Sequence, residues 1–119
     1  MNRKDLIRQY KETPPPAGVF RIYNNEKKIS FIGSSLNVPG VINRQKFQLK
    51  NGSHPDKQLQ QDWNDLGPDP FIFETLDELD LSVENNSDPE KDLKTLKQLW
   101  LDKLRDSGET IYPGSLRYL

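Results

Sequence analysis

The sequence predicts an α/β domain in which a small, mainly antiparallel sheet of three strands is flanked by helices. Two short β-type segments close on a polar turn, and a third segment of strand composition follows later in the chain. Apolar residues at helical spacing mark the helices around them. A chain of 119 residues suits one domain with a real core, so residues 1–119 are treated as a single unit.

The first two strands form a predicted hairpin. Residues 18–23 and 28–33 both alternate apolar with polar side chains, and residues 24–27 lie between them. This alternation predicts a half-buried hairpin. We expect Asn24 and Asn25 to supply the turn with residues that tolerate positive φ.

The remaining elements give the order helix, strand, strand, helix, helix, strand, helix. Residues 1–16 combine a short helix over 3–11 with a lead-in through three prolines, residues 17–112 form the core, and residues 113–119 form a tail. After a turn-rich loop over 34–40, helices are predicted over 41–50 and from 53–56 to Gly67.

A strand is predicted over 71–76, followed by an acidic surface loop over 80–88. The longest helix begins at residues 87–90, where Ser87 and Glu90 have capping-box spacing, and runs to about Asp106.

The net charge of −1 conceals an uneven distribution. Residues 1–60 carry 11 Lys or Arg against 4 Asp or Glu, whereas residues 61–119 carry 6 against 14. A basic first half is compatible with DNA contact, and an acidic second half with a protein partner; the distribution is equally compatible with two halves that neutralise each other. The chain has no cysteine, which excludes disulfides and thiolate metal sites. With no bilayer-length apolar run and no leader, we expect a soluble, cytoplasmic protein without a membrane partner.

Several motifs occur in an order that is typical of one nuclease family. Gly18-Val19-Phe20 and Phe31-Ile32-Gly33 end the two hairpin arms. Residues 47–55 follow an L-x-x-G-x-H pattern, and residues 59–67 an LQ-x-x-W-x-x-x-G pattern. Over about residues 17–112, the chain resembles the GIY-YIG nuclease superfamily in these motifs and in the strand over 71–76.

The resemblance implies a reaction that this chain is poorly equipped to perform. Family members cut a phosphodiester with one divalent ion, held by a Glu on the last long helix, and use tyrosines of the hairpin and an Arg on the first internal helix. Matching the motifs without gaps places other residues at the family's site positions, which are Phe20, Phe31, Val41, Gln45, Lys97 and Pro113.

These substitutions remove the chemistry of the family. A phenyl ring cannot hydrogen-bond water, and an ammonium repels a divalent cation. We therefore expect no intact catalytic residue, no metal and no cofactor, with Arg44 as a candidate replacement for the lost arginine. The sole histidine, His54, is expected to pack or cap a helix, while Trp63 and Trp100 are expected in the core.

Three functions remain open at this point. The first is a degenerate domain that binds DNA through a basic patch formed by Lys27, Lys28, Arg44, Lys46 and Lys50. An equal alternative for these five residues is a solvated face that binds no ligand. The second is an active endonuclease, using Mg²⁺ or Mn²⁺, whose site is rebuilt around Arg44. The third is a protein-interaction module that uses the acidic second half and does not bind nucleic acid.

Overall fold

The structure, a computed structural model, describes residues 15–80 and 88–116. These residues form a sheet and three α-helices, which confirms the α/β fold class. The elements are β1 Ala17–Asn24, β2 Ile29–Ser35, α1 Val38–Lys50, α2 Lys57–Leu66, β3 Phe71–Leu79, α3 Pro89–Asp106, β4 Thr110–Ile111 and a 3₁₀ turn over Pro113–Leu116. The helix predicted over 3–11 and most of the predicted acidic loop lie outside the described residues.

The sheet has four strands in the order β3-β1-β2-β4 instead of the predicted three. The strands β1, β2 and β3 are mutually antiparallel where they pair, as expected. The additional strand, β4, has only two residues and pairs in parallel with β2. Two residues are too few to show an alternating pattern, so the sequence carried no signal for this strand.

The β1–β2 hairpin is buried on both faces, so the expectation of a half-buried hairpin is wrong. Phe20 and Phe31 point to a core shared with α1 and α2, whereas Val19 and Ile32 point to a second core shared with α3. The alternation along each strand is therefore between two buried sides. Some polar residues of the hairpin are buried as well, among them Ser30, which is fully buried.

The hairpin turn does not use its asparagines for positive φ. The only non-glycine residue with positive φ in the described parts of the chain is Lys28, at 61°. Asn24 instead organises the turn through its side chain, because its Oδ1 accepts hydrogen bonds from the backbone N–H groups of Glu26 and Lys27, both at 3.1 Å. These side-chain bonds add to the backbone bond of the turn, in which the N–H of Lys28 donates to the carbonyl of Asn24 at 2.7 Å.

Each helix starts at a side-chain cap. Helix α1 begins at Val38, three residues before the predicted start, because Asn37 Oδ1 accepts from Gly40 N–H at 3.0 Å. The N-cap of α2 is Asp56. That of α3 is Asp88, whose carboxylate accepts from the backbone N–H of Lys91, while the predicted capping residue Ser87 lies outside the described residues.

Candidate functional site

The two hairpin positions where the resemblance implies catalytic tyrosines are interior packing positions. Phe20 and Phe31 are each 2% exposed, and their ring centroids lie 6.4 Å apart in the core beneath α1 and α2. The Phe20 ring lies directly against Gly33, where a Cβ would come within 2.4 Å of Cζ. A phenyl ring in this place contributes apolar packing and offers no group to water or metal.

Helix α1 turns uncharged side chains toward the domain at Val41 and Gln45. Val41 packs against the core, and Gln45 is half-buried with its Oε1 bonded to Nε2 of His54. Arg44, the candidate replacement for the family arginine, is exposed. The inward face of α1 therefore carries no cation at the two positions that were matched to the family's arginine and histidine.

His54 is committed to structural bonds through both ring nitrogens. Nδ1 accepts from the backbone N–H of Asp56 at 3.0 Å, so the ring proton is assigned to Nε2, which donates to Gln45. The imidazole packs nearly perpendicular to the ring of Phe31, at a centroid distance of 5.3 Å and an interplanar angle of 86°. Burial lowers the pKa of His54, against an opposing effect of Asp56. This residue packs and braces the start of α2, as the sequence indicated.

Lys97 stands on the buried side of α3. It is 5% exposed and lines a cleft of about 250 Å³ together with Lys94, Gln98, Leu101, Ser115 and Leu116. Burial lowers the pKa of Lys97 to about 8, because desolvation penalises the ammonium. At neutral pH the side chain is still mostly protonated. A positive charge thus occupies the position that the resemblance assigns to a metal-binding carboxylate.

The donor set at these positions does not fit a divalent metal ion. Two phenyl rings, a valine and an ammonium provide no oxygen ligand, and the one amide oxygen of the set, Oε1 of Gln45, is bonded to His54, whereas Mg²⁺ or Mn²⁺ requires several oxygen ligands. Pro113 begins the 3₁₀ turn with an exposed ring and likewise offers no side-chain donor or acceptor. Within residues 15–80 and 88–116, no group of three or more His, Asp or Glu side chains is arranged to hold a metal.

The five predicted phosphate-binding residues differ in their surroundings. Lys27 is already paired with the buried carboxylate of Asp62, with Nζ 2.7 Å from Oδ1, and this bond raises the pKa of Lys27. Lys46 lies over the ring of Phe73 at 5.0 Å. Lys28 donates to the side chain of Asn25 at 3.0 Å.

Arg44 and Lys50 are exposed on α1. No Asp or Glu occurs between residues 27 and 55, so the whole segment that contains α1 is basic. We call the exposed or half-buried cations of this segment the basic surface: Lys28, Arg44, Lys46 and Lys50.

A buried polar network joins the hairpin turn to α2 and the C-terminal turn, and the sequence analysis missed it. The hydroxyl of Tyr112 donates to Asp62 Oδ2 at 2.7 Å and accepts from Asn24 Nδ2 at 3.0 Å. Burial raises the pKa of Tyr112 well above its usual value of 10. In the sequence, the one sign of this buried network is Asp62, an acidic residue that falls on the apolar face of α2 beside Trp63.

A second buried carboxylate performs a similar linking role. Asp56 caps α2 through Oδ1, which accepts from Leu59 N–H at 3.0 Å. Its Oδ2 accepts from the backbone N–H of Gly114 at 2.6 Å. Residues 113–116, part of the predicted tail, are thereby held against the core, and the hydroxyl of Ser115 accepts from Ile32 N–H at 2.8 Å.

Solved structures show where this arrangement of strands and helices is found. The catalytic domain of homing endonuclease I-TevI aligns with a TM-score of 0.65 over 81% of this chain and 95% of that one, at 20% sequence identity. A mutant of the catalytic domain of the same intron endonuclease aligns with a TM-score of 0.61, at 19% identity over 80% and 90% of the two chains. This chain has the fold of a GIY-YIG nuclease domain.

The GIY-YIG nuclease-like fold is supported by structure and not by overall sequence similarity. No protein-family model and no curated protein matches the sequence. Among the helices of residues 15–80 and 88–116, none is both long and apolar enough to cross a bilayer.

Proposed function

We propose that this chain is a catalytically degenerate GIY-YIG nuclease-like domain that binds DNA without cutting it. The observation that carries the proposal is Lys97, an ammonium buried in a cleft at the position matched to the family's metal ligand. Moving a charge into a protein interior is costly, and a divalent cation placed beside that charge would add strong repulsion. The phenyl rings of Phe20 and Phe31 support the same conclusion, because neither can activate water.

The proposed DNA contacts belong to the basic surface. Arg44 and Lys50 extend from α1 into solvent, where phosphates can approach them. The ammonium of Lys28 contacts the side chain of Asn25, and that of Lys46 lies over the ring of Phe73. Lys27 is not included, because its ammonium already neutralises buried Asp62.

Cleavage assays separate this proposal from an active nuclease with a rebuilt site. Purified protein with Mg²⁺ or Mn²⁺ is expected to leave branched, nicked and linear DNA uncut. Cutting that depends on the metal and disappears in Arg44→Ala would overturn the degenerate assignment and support the rebuilt site. As the converse test, Phe20→Tyr and Phe31→Tyr combined with Lys97→Glu should return Mn²⁺ binding in calorimetry, and a blank titration of a folded variant would contradict the matched positions.

The salt dependence of DNA affinity separates binding to DNA from a role as a protein-interaction module. If the four cations of the basic surface each neutralise a phosphate, log K should fall with log[salt] at a slope of about −3 to −4. The double substitution of Arg44 and Lys50 by Ala should reduce that slope by about 2, whereas the double substitution of Lys91 and Arg105 by Ala, two exposed cations of α3, serves as a charge-matched control. Absent or salt-independent binding would instead favour a protein partner for the acidic second half.

We also propose a cytoplasmic location, which imaging of a fluorescent fusion tests.

A further inference from the structure

Helix α1 exposes an aromatic ring between two cations of the basic surface, Arg44 and Lys50. Phe47 is 66% exposed, and it belongs to neither of the two cores. The other large rings of α1, α2 and β3 are buried or half-buried, including Trp63 and Phe73. A lone exposed apolar residue is ordinary on a protein surface, so the ring gains significance only from the residues that flank it.

Those flanking residues are cationic or amide side chains. Arg44 and Lys50 lie three residues before and after Phe47, about 4.5 Å away along the helix axis and about 60° to either side. Asn43 and Asn51 follow at a spacing of four residues, and α1 contains no acidic residue. The outer side of α1 therefore presents a phenyl face between two positive charges, which we call the Phe47 face.

We propose that the Phe47 face binds DNA with unpaired bases, one base stacking on Phe47 while the adjacent phosphates pair with Arg44 and Lys50. This inference deepens the DNA-binding function proposed above and rests on it. In a fully paired duplex the faces of the bases are covered by their neighbours, so the phenyl ring has no partner there unless a base is extruded. In a single strand or a gap, the base faces are open and an aromatic side chain stacks on them with little sequence preference.

The test compares one oligonucleotide as a single strand, within a gapped duplex and within a fully paired duplex. Phe47→Ala should weaken single-strand and gap binding by about 5- to 150-fold, the range measured for loss of one base–aromatic stack. Affinity for the paired duplex should change by less than about twofold, since the phosphate contacts remain. Leu99→Ala on α3 is a matched control, because Leu99 is also an exposed apolar residue, at 61%.

A variant that keeps an aromatic ring gives an independent readout. Phe47→Trp should retain single-strand affinity, and its added fluorescence should be quenched by the single strand but not by the paired duplex. Undiminished single-strand binding by Phe47→Ala, or an equal loss on single strand and duplex, would overturn the stacking role while DNA binding stood. A dimer that Phe47→Ala converts to a monomer would assign the ring to self-association instead. Failure of the wild-type protein to bind any of the three DNAs would refute the proposed function itself.

Discussion

Removing a single oxygen atom from Tyr112 tests whether the buried polar network holds the hairpin turn to α2. Tyr112 is fully buried, and its hydroxyl donates to Asp62 while it accepts from Asn24. In Tyr112→Phe the ring keeps its packing, so the cavity created is no larger than one oxygen. Asp62 retains its bond to Lys27, whereas the side-chain amide of Asn24 loses the hydroxyl that accepted its hydrogen bond.

The loss can be estimated from these two bonds. A hydrogen bond to a charged acceptor is worth about 1.5–3 kcal/mol, and a buried donor left without an acceptor costs about 1–3 kcal/mol. The two effects overlap, because the groups belong to one network and the Lys27 bond can strengthen in compensation. We therefore expect Tyr112→Phe to lower the free energy of unfolding by about 2–4 kcal/mol.

Urea denaturation followed by circular dichroism measures this difference. Tyr23→Phe provides the control, because Tyr23 is half-buried on β1 with Arg21 over its ring, and we expect a change within about 0.5 kcal/mol. If the two variants lost equal stability, or if Tyr112→Phe lost less than about 1 kcal/mol, the network would not have the assigned role.

The pH dependence of the same pair of proteins provides a second check on Tyr112. Burial raises the pKa of the folded phenol above its usual value of 10, so the unfolded chain releases this proton first as pH rises. The stabilisation is complete below pH 10 and is lost progressively above it. The advantage of the wild type over Tyr112→Phe should shrink above pH 10. An advantage that stays constant to pH 11.5 or above would contradict the raised pKa.

Three further predictions follow from other packed positions. Gly33→Ala should destabilise the fold by about 1–3 kcal/mol, because the new Cβ meets the ring of Phe20, and a Phe20→Leu background should reduce the loss. Between about pH 8 and 10.5 the folded state has released the proton of Lys97 while the unfolded chain still holds it, so the stability of the wild type should rise with pH relative to that of Lys97→Gln. If the difference in free energy of unfolding between the two proteins did not change over this range, the lowered pKa would be contradicted. Asp56→Ala should lower the free energy of unfolding by about 2–4 kcal/mol, because this buried N-cap also accepts a hydrogen bond from the C-terminal turn. Asp88→Ala, at an exposed N-cap, should lower it by about 1 kcal/mol, and similar losses in the two variants would contradict the linking role of Asp56.

The sequence predicted the fold well wherever a periodic pattern was long. The apolar residues Leu93, Leu96, Leu99, Trp100 and Leu104 form a stripe at helical spacing in the sequence, and the predicted end of this helix at about Asp106 agrees with the end of α3. The stripe did not predict the exposure of Leu99, because it is wider than the face of the helix that is buried. Strand β3 ran three residues beyond the predicted end at Leu76, where an irregular register between Val19 and Phe20 lets the pairing continue to Leu79.

Features that depend on distant partners escaped the sequence. The two-residue strand β4 exists because residues 110–111 meet β2 after α3 has crossed the sheet, a contact that no local pattern encodes. The bond between Asp62 and Tyr112 spans fifty residues, and so does not appear at any fixed spacing. At the candidate site, the structure locates Phe20, Phe31 and Lys97, whereas their correspondence to the family's catalytic positions remains a prediction from the motifs.

The burial of β1 and β2 on both faces has a consequence for how this small domain opens. The two apolar layers share the same pair of strands, with Phe20 and Val19 as neighbours that serve opposite layers. If α3 alone detached, one side of β1 and β2 would be exposed while α1 and α2 still covered the other side. Local unfolding of this kind therefore leaves the hairpin folded. Backbone amides of residues 19–22 and 31–33 should accordingly exchange with deuterium only through global unfolding, while those of the short edge strand β4 exchange earlier.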